Sequence, residues 1–322
     1  MRILFIGSGE FGIPTLRMLH GAGHDVLGVI TQPDRPAGRG RHSRPTPIRD
    51  IAETLGLPVT AVPRINAPDC VASIREKRVE LAVVVAFGQK IGAELLEMFP
   101  VGIVNLHASL LPRWRGAAPI QHAIVHGDDE TGVSVFRLVE KMDAGPILSQ
   151  RRTTIKPDET ASELHDRLAG VGCDAVAAAI ERLQANPTDP GDVQDESMVT
   201  PAPKLSKADG VLDLNRSAAE VSRRINGLYS WPGARCRFVS HTGRSEEVTL
   251  ARALETDEPA EATPPESVGH VTQRGGVLTG RGEIAVLEIQ PAGSRVMSWD
   301  DFVNGRHVQP GDRFLSQSKD GS

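Results

Sequence analysis

The chain has few aromatic residues, few cysteines and no long apolar run. Aromatic residues make up 4% of its 322 residues, so aliphatic side chains must fill most of any core. The three cysteines are an odd number, and their positions match neither a metal-ligand spacing nor a disulfide framework. No apolar run has the length of a membrane span, and the first residues lack the pattern of a signal peptide. We therefore expect a cytoplasmic protein with no membrane partner and no metal.

Length and charge narrow the class of protein further. A chain of 322 residues can form two domains, each with its own core. Hydrophobic residues make up 39% and charged residues 24%, which is typical of a globular protein. The formal net charge of -5 argues against nonspecific coating of nucleic acid. It leaves room for a locally basic surface.

Short apolar runs alternate with helical patterns in the first half of the chain. The runs that we predict as strands are Ile3–Ile6, Val26–Ile30, Pro58–Val62, Leu81–Ala86, Ile103–Leu106, Val133–Leu138 and Ile147–Thr154, the first two of the type buried on both faces. A long helix is predicted from about Thr160 to Leu183, with the residues before it as a capping region. This alternation predicts an α/β fold with a doubly wound, mostly parallel sheet.

The pattern changes after this helix. A turn-rich segment at 186–191 is followed by one further helical pattern and then by short strand candidates between Gly, Pro and charged clusters. These strands predict a small β-barrel or sandwich. We therefore divide the chain into a catalytic domain at 1–185, a linker at 186–209, a second domain at 210–316 and a tail at 317–322.

A glycine motif near the start suggests a dinucleotide site. Residues 7–12 match G-x-G-x-x-G between a predicted strand and a predicted helix, and Asp34 follows at about the expected twenty residues. However, Thr31, Gln32 and Pro33 separate Asp34 from the strand, and the residues after it are not helical. The motif alone leaves two interpretations open. One is a nicotinamide-dependent oxidoreductase, and the other is a turn whose glycines only allow close packing.

The most informative residues lie at the carboxyl end of the strand predicted at Ile103–Leu106. Ligands bind at this edge in open α/β sheets. Asn105 and His107 are two residues apart, so their side chains point to the same side of a strand. An amide donor beside an imidazole can stabilise negative charge on a carbonyl oxygen, and His107 can also transfer a proton near neutral pH. At this stage a simple hydrogen-bonded pair at a strand end remains the alternative.

The residues around this pair resemble a known family. Residues 105–120, which read Asn-Leu-His-Ala-Ser-Leu-Leu-Pro and then Arg-Trp-Arg-Gly-Ala-Ala-Pro-Ile, are similar to the core of the folate-dependent formyltransferases. Residues 142–147 resemble the family's catalytic aspartate loop, with Asp143 as the aspartate. The resemblance extends from Ile3 to about Phe314. It implies a Rossmann-like sheet without a bound dinucleotide, followed by a smaller OB-like β-barrel.

The resemblance also implies a co-substrate and a set of site residues. The formyl donor would be 10-formyltetrahydrofolate, and neither a metal nor NAD is expected. The catalytic residues would be Asn105, His107 and Asp143. The residues assigned to the folate site are Ser109, Leu110, Leu111, Pro112, Phe87, Gly88 and Gln89. Two positions depart from the family, since Phe87 stands where many relatives have Tyr and Gly9 where Pro is common.

These roles describe a formyl transfer to an amine. The acceptor amine attacks the formyl carbon, and Asn105 donates a hydrogen bond to the oxyanion that forms. His107 supports the same charge, as an imidazolium or as a neutral N–H donor. Asp143 orients His107 or a water and helps to relay the proton that the attacking nitrogen loses.

Three segments favour methionyl-tRNA as the acceptor. Residues 32–44 form an inserted loop rich in Arg and Gly, and this loop resembles the one with which members of the family read tRNA. Arginine pairs with phosphates and stacks on bases. Residues 203–210 resemble the link into the family's C-terminal domain, and residues 229–234 resemble the start of that domain. The predicted tRNA-binding residues are Arg35, Arg39, Arg41, Arg44, Lys204 and Lys207. Solvated surface charges are the alternative interpretation, especially for the two lysines.

We expect initiator methionyl-tRNA as the macromolecular substrate, and a monomer without an obligate protein partner. The nearest rival is a formyltransferase that acts on a nucleotide-linked amino sugar, since such enzymes share the Asn-His-Asp set. A glycinamide ribonucleotide formyltransferase would lack the C-terminal domain. An NAD-dependent oxidoreductase and a non-catalytic nucleotide-binding module are alternatives from other classes.

Overall fold

A computed structural model describes residues 1–37, 42–257 and 261–316, which form two compact units. The first unit comprises residues 1–116, 131–153 and 165–201, and the second comprises residues 117–130, 154–164 and the chain from 202 onward. The chain thus passes between the units more than once. The predicted domain boundaries at 185 and 210 remain a prediction.

The first half of the chain builds a seven-stranded sheet. The strands up to residue 202 are β1 Arg2–Gly7, β2 Asp25–Thr31, β3 Arg35–Ala37, β4 His42–Arg44, β5 Val59–Ala61, β6 Leu81–Val85, β7 Gly102–His107, β8 Arg115–Gly116, β9 Glu130–Arg137, β10 Ile147–Thr154 and β11 Pro201–Ala202. The sheet has the order β10-β9-β7-β6-β1-β2-β5. Its strands from β7 to β5 pair in parallel, and β9 pairs with β7 antiparallel. The predicted mostly parallel sheet is confirmed.

Helices form between these strands and later in the chain. In the described residues they are α1 Ile13–Gly21, α2 Pro47–Thr54, α3 Pro68–Glu76, α4 Ala93–Leu96, α5 Pro119–His126, α6 Ala161–Ala185, α7 Ala218–Leu228 and α8 Trp299–Arg306. The predicted capping region of α6 is confirmed, because Thr160 and Glu163 exchange side-chain and backbone hydrogen bonds. Within the described ranges, no helix combines the length and hydropathy that a membrane span requires.

The register of the sheet brings three loops to one edge. Gly7 at the end of β1 lies opposite Val85 at the end of β6, and Asn105 near the end of β7 lies opposite Val84. The backbone N–H groups of Ser8 and Gly9 both donate to the carbonyl oxygen of Ala86. Parallel strands end at the same edge of a sheet, and open α/β sheets bind ligands there. The loops after β1, β6 and β7 therefore lie side by side.

The second unit contains an antiparallel sheet that closes on itself. Its strands are β12 Ala234–Val239, β13 Ser245–Glu255, β14 Val277–Leu278, β15 Glu283–Pro291, β16 Met297–Ser298 and β17 Arg313–Ser316. The main order is β14-β15-β13-β12-β17, with β16 beside β15. Residues 269–271 bridge the two edges, since His270 pairs with Arg313 and Val271 pairs with Val277. The predicted small barrel is confirmed as a nearly closed sheet, and the two bridges cover part of the edges that would otherwise be open to pairing.

Some elements were not predicted from the sequence. Helix α8 and strand β17 both belong to the second unit, where Phe238 on β12 contacts Phe302 on α8 edge to face and Phe314 on β17 in a tilted arrangement. The short strands β3 and β4 pair antiparallel inside the segment that we predicted as a loop. The three strands have only three or four residues, and helix α8 mixes polar and apolar residues, so their periodic signal is too weak to recognise.

A buried carboxylate makes the stability of the second unit dependent on pH. The side chain of Asp312 is fully buried, and its carboxylate accepts hydrogen bonds from the backbone N–H groups of His241 and Gln309 and from His241 Nδ1. Burial alone would raise the pKa of Asp312, but these bonds outweigh it and lower the pKa. We expect Asp312→Asn to lower the free energy of unfolding by about 1.5–3 kcal/mol at neutral pH.

The sign of this effect follows from the direction of the shift. A carboxyl group whose pKa is lowered by folding adds stability above its unfolded pKa of about 4, and that stability is lost as the pH falls through the folded value. Denaturant unfolding of both proteins between pH 7 and pH 3 would measure the difference. If the difference in unfolding free energy between the wild type and Asp312→Asn stayed constant from pH 7 to pH 3, the lowered pKa of Asp312 would be contradicted.

Candidate active site

His107 is buried at the end of β7, and its hydrogen bond fixes the protonation of its ring. Nε2 lies 2.9 Å from the carbonyl oxygen of Trp114, and His107 is 7% exposed. A carbonyl oxygen only accepts hydrogen bonds, so Nε2 carries the proton. In the neutral ring Nδ1 is then an acceptor. His107 can therefore donate to a second group only when it is an imidazolium. The neutral ring, which is the other donor form expected from the sequence, has its single N–H committed to Trp114.

Asn105 lies two residues before His107 and is half-buried. Its side chain has no hydrogen bond to any residue in the part of the chain that the structure describes. The strand neighbours that fix its backbone are Val84 on β6 and Phe136 on β9. An uncommitted amide on a rigid central strand is suited to donate to an oxygen on which negative charge develops.

Asp143 is held close to His107 by a loop that follows β9. One carboxylate oxygen, Oδ2, accepts a hydrogen bond from the backbone N–H of Gly116 at 2.9 Å and lies 3.9 Å from His107 Nδ1. The second distance is too long for a direct hydrogen bond, and a single water bonded to both atoms could bridge it. The carboxylate side chain is 14% exposed, so its charge acts in a partly desolvated environment.

Backbone strain is concentrated around these residues. Among the described residues other than glycine, five have positive φ angles, and three of them lie here: Ala86, Trp114 and Asp143, at 47°, 59° and 50°. Residues other than glycine rarely adopt this conformation, and such strain often accompanies functional sites. Ala86 precedes the predicted folate residues, Trp114 accepts the bond from His107, and Asp143 is the predicted catalytic acid. The strain thus marks the same loops that the sequence singled out.

The predicted folate turn at residues 109–112 is anchored by two residues that sequence reasoning missed. Ser134 on β9 donates to the carbonyl oxygen of Ser109 at 2.7 Å and accepts from the backbone N–H of Leu111 at 2.9 Å. Gln150 on β10 donates to the carbonyl oxygen of Leu111 at 3.0 Å. Ser109 is itself fully buried and bonds to the carbonyl oxygen of Arg113. Leu110 and Pro112 are the partly exposed members of the turn.

In the second predicted folate segment, residues 87–89, the side chains are used within the fold and mainly the backbone remains available to a ligand. Phe87 is 3% exposed and packs in the hydrophobic core of the first unit. The amide of Gln89 donates to Val62 and accepts from Ile65, so both of its ends are used in the fold. Gly88 has a φ of 78° and lies between them. A ligand at this segment would therefore meet mainly its backbone, and the missing tyrosine hydroxyl at Phe87 matters less than its sequence position suggests.

The glycine motif near the start has a packing explanation. A Cβ atom at Gly7 would lie 2.6 Å from the carbonyl oxygen of Val85, and one at Gly12 would lie 3.1 Å from the ring of Phe5. Asp34, the acid expected on a ribose, forms an ion pair with Arg49. Both halves of the apparent dinucleotide fingerprint therefore have roles within the fold.

The predicted tRNA-binding residues are spread over both units. Arg44 on β4 and Lys204 and Lys207 in the second unit are exposed. Neither lysine has an ion-pair partner among the described residues. The backbone of Arg35 pairs with that of Arg44. Arg39 and Arg41 lie outside the described residues.

In the described parts of the chain, no group of three or more His, Cys, Asp or Glu side chains is arranged to hold a metal ion. The three side chains that the sequence predicted as catalytic are an amide, an imidazole and a carboxylate.

Gly145 fixes the position of the Asp143 loop, and its replacement gives a testable expectation. A Cβ atom at Gly145 would lie 1.7 Å from the carbonyl oxygen of Arg137, which is backbone and cannot rotate away. We expect Gly145→Ala to displace the loop, to lower the free energy of unfolding by about 1–3 kcal/mol and to reduce kcat by up to about 100-fold. Gly170→Ala is the matched control, since its Cβ meets nothing within 4 Å on α6. Equal kcat values for the two variants would contradict this expectation.

Comparison with known proteins identifies the family. The family model described as formyl transferase matches residues 1–180, and the model described as formyl transferase, C-terminal domain, matches residues 204–307. The first match alone covers more than half of the chain. The chain therefore belongs to the formyl transferase family.

Full-length relatives give a narrower group. The methionyl-tRNA formyltransferase of Methylococcus capsulatus is 42% identical over 314 residues, covering 98% of this chain and 99% of the relative. The methionyl-tRNA formyltransferase of Symbiobacterium thermophilum is 43% identical over 316 residues, covering 98% and 95%. Both matches include the two units, so the similarity is not confined to a shared catalytic domain.

A solved structure shares the fold at lower identity. The N-formyltransferase from Helicobacter canadensis, in complex with folinic acid and dTDP-3-aminofucose, aligns with a TM-score of 0.63. The two chains are 14% identical, and the alignment covers 90% of this chain and 99% of that one. This likeness shows a common fold and does not choose an acceptor.

Proposed function

We propose that this enzyme transfers the formyl group of 10-formyltetrahydrofolate to the α-amino group of initiator methionyl-tRNA. The observation that carries the proposal is the set of Asn105, His107 and Asp143 in a chain whose full-length relatives are methionyl-tRNA formyltransferases. A substrate of translation initiation is met in the cytoplasm, and we assign the enzyme to that compartment. We propose that it acts as a monomer.

The geometry supports stabilisation of a tetrahedral intermediate. The acceptor nitrogen forms a bond to the formyl carbon, and the carbonyl electrons move to its oxygen. Asn105 is placed to donate a hydrogen bond to this oxyanion. An α-amino group has an ordinary pKa of about 8, so a neutral nucleophile is available without a strong base. Collapse of the intermediate breaks the bond to N10 of the folate and restores the carbonyl group.

The proton that the amine loses must reach N10 of the departing folate. His107 presents Nδ1, the ring atom not bonded to Trp114, to the carboxylate of Asp143 at 3.9 Å. In this position Nδ1 can accept a proton while Asp143 stabilises the imidazolium that forms. Histidine is the side chain that most often carries out proton transfer of this kind.

The folate is assigned to the turns at 87–89 and 109–112. Both turns follow strands that end at the edge where ligands bind in such sheets. The complexed relative from Helicobacter canadensis holds folinic acid on the same fold, which supports a reduced folate as donor. The turn at 109–112 is rigid because Ser134 and Gln150 bond to its backbone, and a rigid turn can position the formyl group without a further ordering cost.

An amino-sugar acceptor is the second candidate. It is supported by the fold shared with an enzyme whose structure contains dTDP-3-aminofucose. That enzyme is 14% identical to this chain, whereas the methionyl-tRNA formyltransferases of Methylococcus capsulatus and Symbiobacterium thermophilum are 42% and 43% identical over both units. The methionyl-tRNA acceptor is therefore favoured.

The experiment that tests the proposal is a direct comparison of acceptors. Purified enzyme and 10-formyltetrahydrofolate are offered initiator methionyl-tRNA, free methionine or a nucleotide-linked amino sugar, and the formylated product is measured. We expect transfer to the tRNA with a kcat/KM at least about 1000-fold above that of the other amines, because tRNA contacts remote from the amine contribute binding energy. Rapid transfer to the sugar with none to the tRNA would refute the proposed acceptor and keep the reaction class.

The Arg/Gly-rich loop gives a further expectation. We expect Arg39→Ala/Arg41→Ala to lower kcat/KM for methionyl-tRNA at least about 100-fold, since each of the two lost charge-assisted hydrogen bonds to phosphate contributes about 1.5–3 kcal/mol. KM for the folate should stay unchanged, and the dependence of tRNA affinity on salt should weaken. Arg17→Ala is the control, because Arg17 is exposed on α1 and has no predicted contact with tRNA. Unchanged kinetics on methionyl-tRNA would remove this loop from the tRNA site.

A further inference from the structure

Gln194 lies in the segment that we predicted as a linker, yet it is buried against the catalytic loops. It is 6% exposed, in contrast to the neighbouring Val193, which is 91% exposed. The backbone of Asp192 exchanges two hydrogen bonds with that of Ile147, so this segment runs along the start of β10. The side chain of Gln194 therefore points into the first unit from a firmly held backbone.

The amide nitrogen of Gln194 bonds to the loop that carries Asp143. Its Nε2 donates to the carbonyl oxygen of Asp143 at 2.9 Å and to that of Gly145 at 2.7 Å. These two carbonyl groups flank the tight turn in which Asp143 adopts a positive φ angle. Both protons of the amide are used, and both hold the backbone of one loop.

The amide oxygen of Gln194 bonds to the loop after β7. Its Oε1 accepts from Arg115 Nε at 3.1 Å and from Arg115 Nη2 at 2.8 Å. Arg115 is 9% exposed and directly precedes Gly116, whose N–H donates to the Asp143 carboxylate. The orientation of the amide is unambiguous, because a guanidinium only donates and a carbonyl oxygen only accepts.

Neighbouring residues of the same segment strengthen this connection. Glu196 accepts from Arg115 and from Lys141, and these two charges lower the pKa of Glu196 to about 2. Thr200 accepts from the backbone N–H of Trp114 at 2.9 Å, the residue whose carbonyl oxygen fixes His107. The segment at 194–200 thus contacts the loop of His107 and the loop of Asp143.

We propose that Gln194 is a positioning residue that sets the distance between Asp143 and His107 by joining the two catalytic loops. This inference rests on the proposed function of the site. Gln194 touches neither substrate in this role, and it acts through the backbone of Asp143 and through Arg115. The simpler interpretation is a buried amide that only contributes to stability, and the two interpretations predict different kinetics.

The test uses a replacement of the same shape. Gln194→Glu keeps an acceptor for Arg115 and removes both donors to the Asp143 loop. We expect kcat for formyl transfer to methionyl-tRNA to fall about 10- to 100-fold, with KM for folate and tRNA within about twofold of the wild-type values. Gln194→Ala should lower kcat by a similar factor. The ¹⁵N signals of the His107 ring, identified by their absence in His107→Ala, should shift in the substrate-free Gln194 variants.

Asn226→Ala is the matched control. Asn226 is 1% exposed, and its amide also makes two hydrogen bonds to backbone groups, both of Ala253 in the second unit. We expect this variant to lose stability while kcat and the His107 signals stay unchanged when both are measured below its unfolding temperature.

The outcomes separate the inference from the proposed function. An unchanged kcat in folded Gln194→Glu, or a rise in KM alone, would overturn the positioning role. A wild-type enzyme that formylates no amine would refute the proposed function. In that case the His107 signals still decide the inference: a shift in Gln194→Glu but not in Asn226→Ala supports it, and unchanged signals in both overturn it.

Discussion

Asn105→Ala is expected to lower kcat for formyl transfer by about 10²–10³, the usual effect of removing one oxyanion donor. The reason lies in the position of the amide. Asn105 stands on a central strand with fixed neighbours on β6 and β9, and its side chain has no partner among the described residues. A donor held in this way needs no reorganisation when charge develops on the substrate oxygen.

The Asn105 side chain has no hydrogen-bond partner among the described residues, so its replacement should affect folding little. Because no hydrogen bond within the described residues is lost, the unfolding midpoint of Asn105→Ala should stay close to that of the wild type. Single-turnover kinetics with 10-formyltetrahydrofolate and methionyl-tRNA would measure the chemical step, and folate binding would be measured separately. Asn105→Asp is the matched control, since it keeps the shape and replaces the donor with an acceptor.

Asn105→Asp should be at least as impaired as Asn105→Ala. A carboxylate near the developing oxyanion is repulsive, whereas alanine leaves the position neutral. If Asn105→Asp retained near wild-type kcat, Asn105 would not be the oxyanion donor. A loss that appeared only in KM would instead indicate a role in ground-state binding.

The overall architecture could be predicted because its signals are local. Buried parallel strands produce continuous apolar runs such as β6, in which all five residues are buried. Asn105 and His107 follow such a run, so their common side of the strand follows from a spacing of two residues. The closed sheet of the second unit was predictable as a class for the same reason, since turn residues separate its short strands.

The hydrogen bonds that hold the loops of the site in place could not be predicted, because they join residues far apart in sequence. Ser134 bonds to residues 109 and 111, about 25 positions away, and Gln194 bonds to Asp143, which is 51 positions away. A single Gln in a polar, turn-rich segment has no periodicity that marks it as buried. Only the folded chain shows that the linker segment forms part of the catalytic region.

The glycine motif shows the reverse case, in which a local pattern fits two different uses. Its spacing matches a dinucleotide fingerprint, but packing against Val85 requires Gly7, the space at Gly12 is tight, and Asp34 pairs with Arg49. The same glycine spacing occurs in a dinucleotide-binding turn and in a turn that is only closely packed. What separates them is the position of Val85 and Phe5 against the turn, which is a tertiary property.

Asp143→Asn is expected to lower kcat by about 10²–10⁴, the range associated with losing a positioned acid–base group. Asparagine has the shape of aspartate and keeps an oxygen that can accept from the N–H of Gly116. The negative charge 3.9 Å from His107 Nδ1 is lost. The imidazolium that forms when His107 takes a proton would then lack its compensating charge, so the proton relay should slow while the loop keeps its place.

Comparison with Asp143→Ala separates charge from loop position. Alanine removes the charge and also the acceptor for Gly116, so it should be worse than asparagine if that hydrogen bond helps to hold the loop. Equal losses would assign the whole effect to the charge. An Asp143→Asn enzyme with kcat within about threefold of the wild type would show that the carboxylate takes no part in the relay.

The double variant Asn105→Ala/Asp143→Asn tests whether the two residues serve one step. Groups that act together in a single transition state have strongly non-additive effects, because the second loss falls on a step that the first has already impaired. We therefore expect the double variant to be less impaired than the product of the two single losses. Full multiplicativity would mean that oxyanion stabilisation and proton relay contribute independently, with proton transfer able to proceed from an intermediate that Asn105 no longer stabilises.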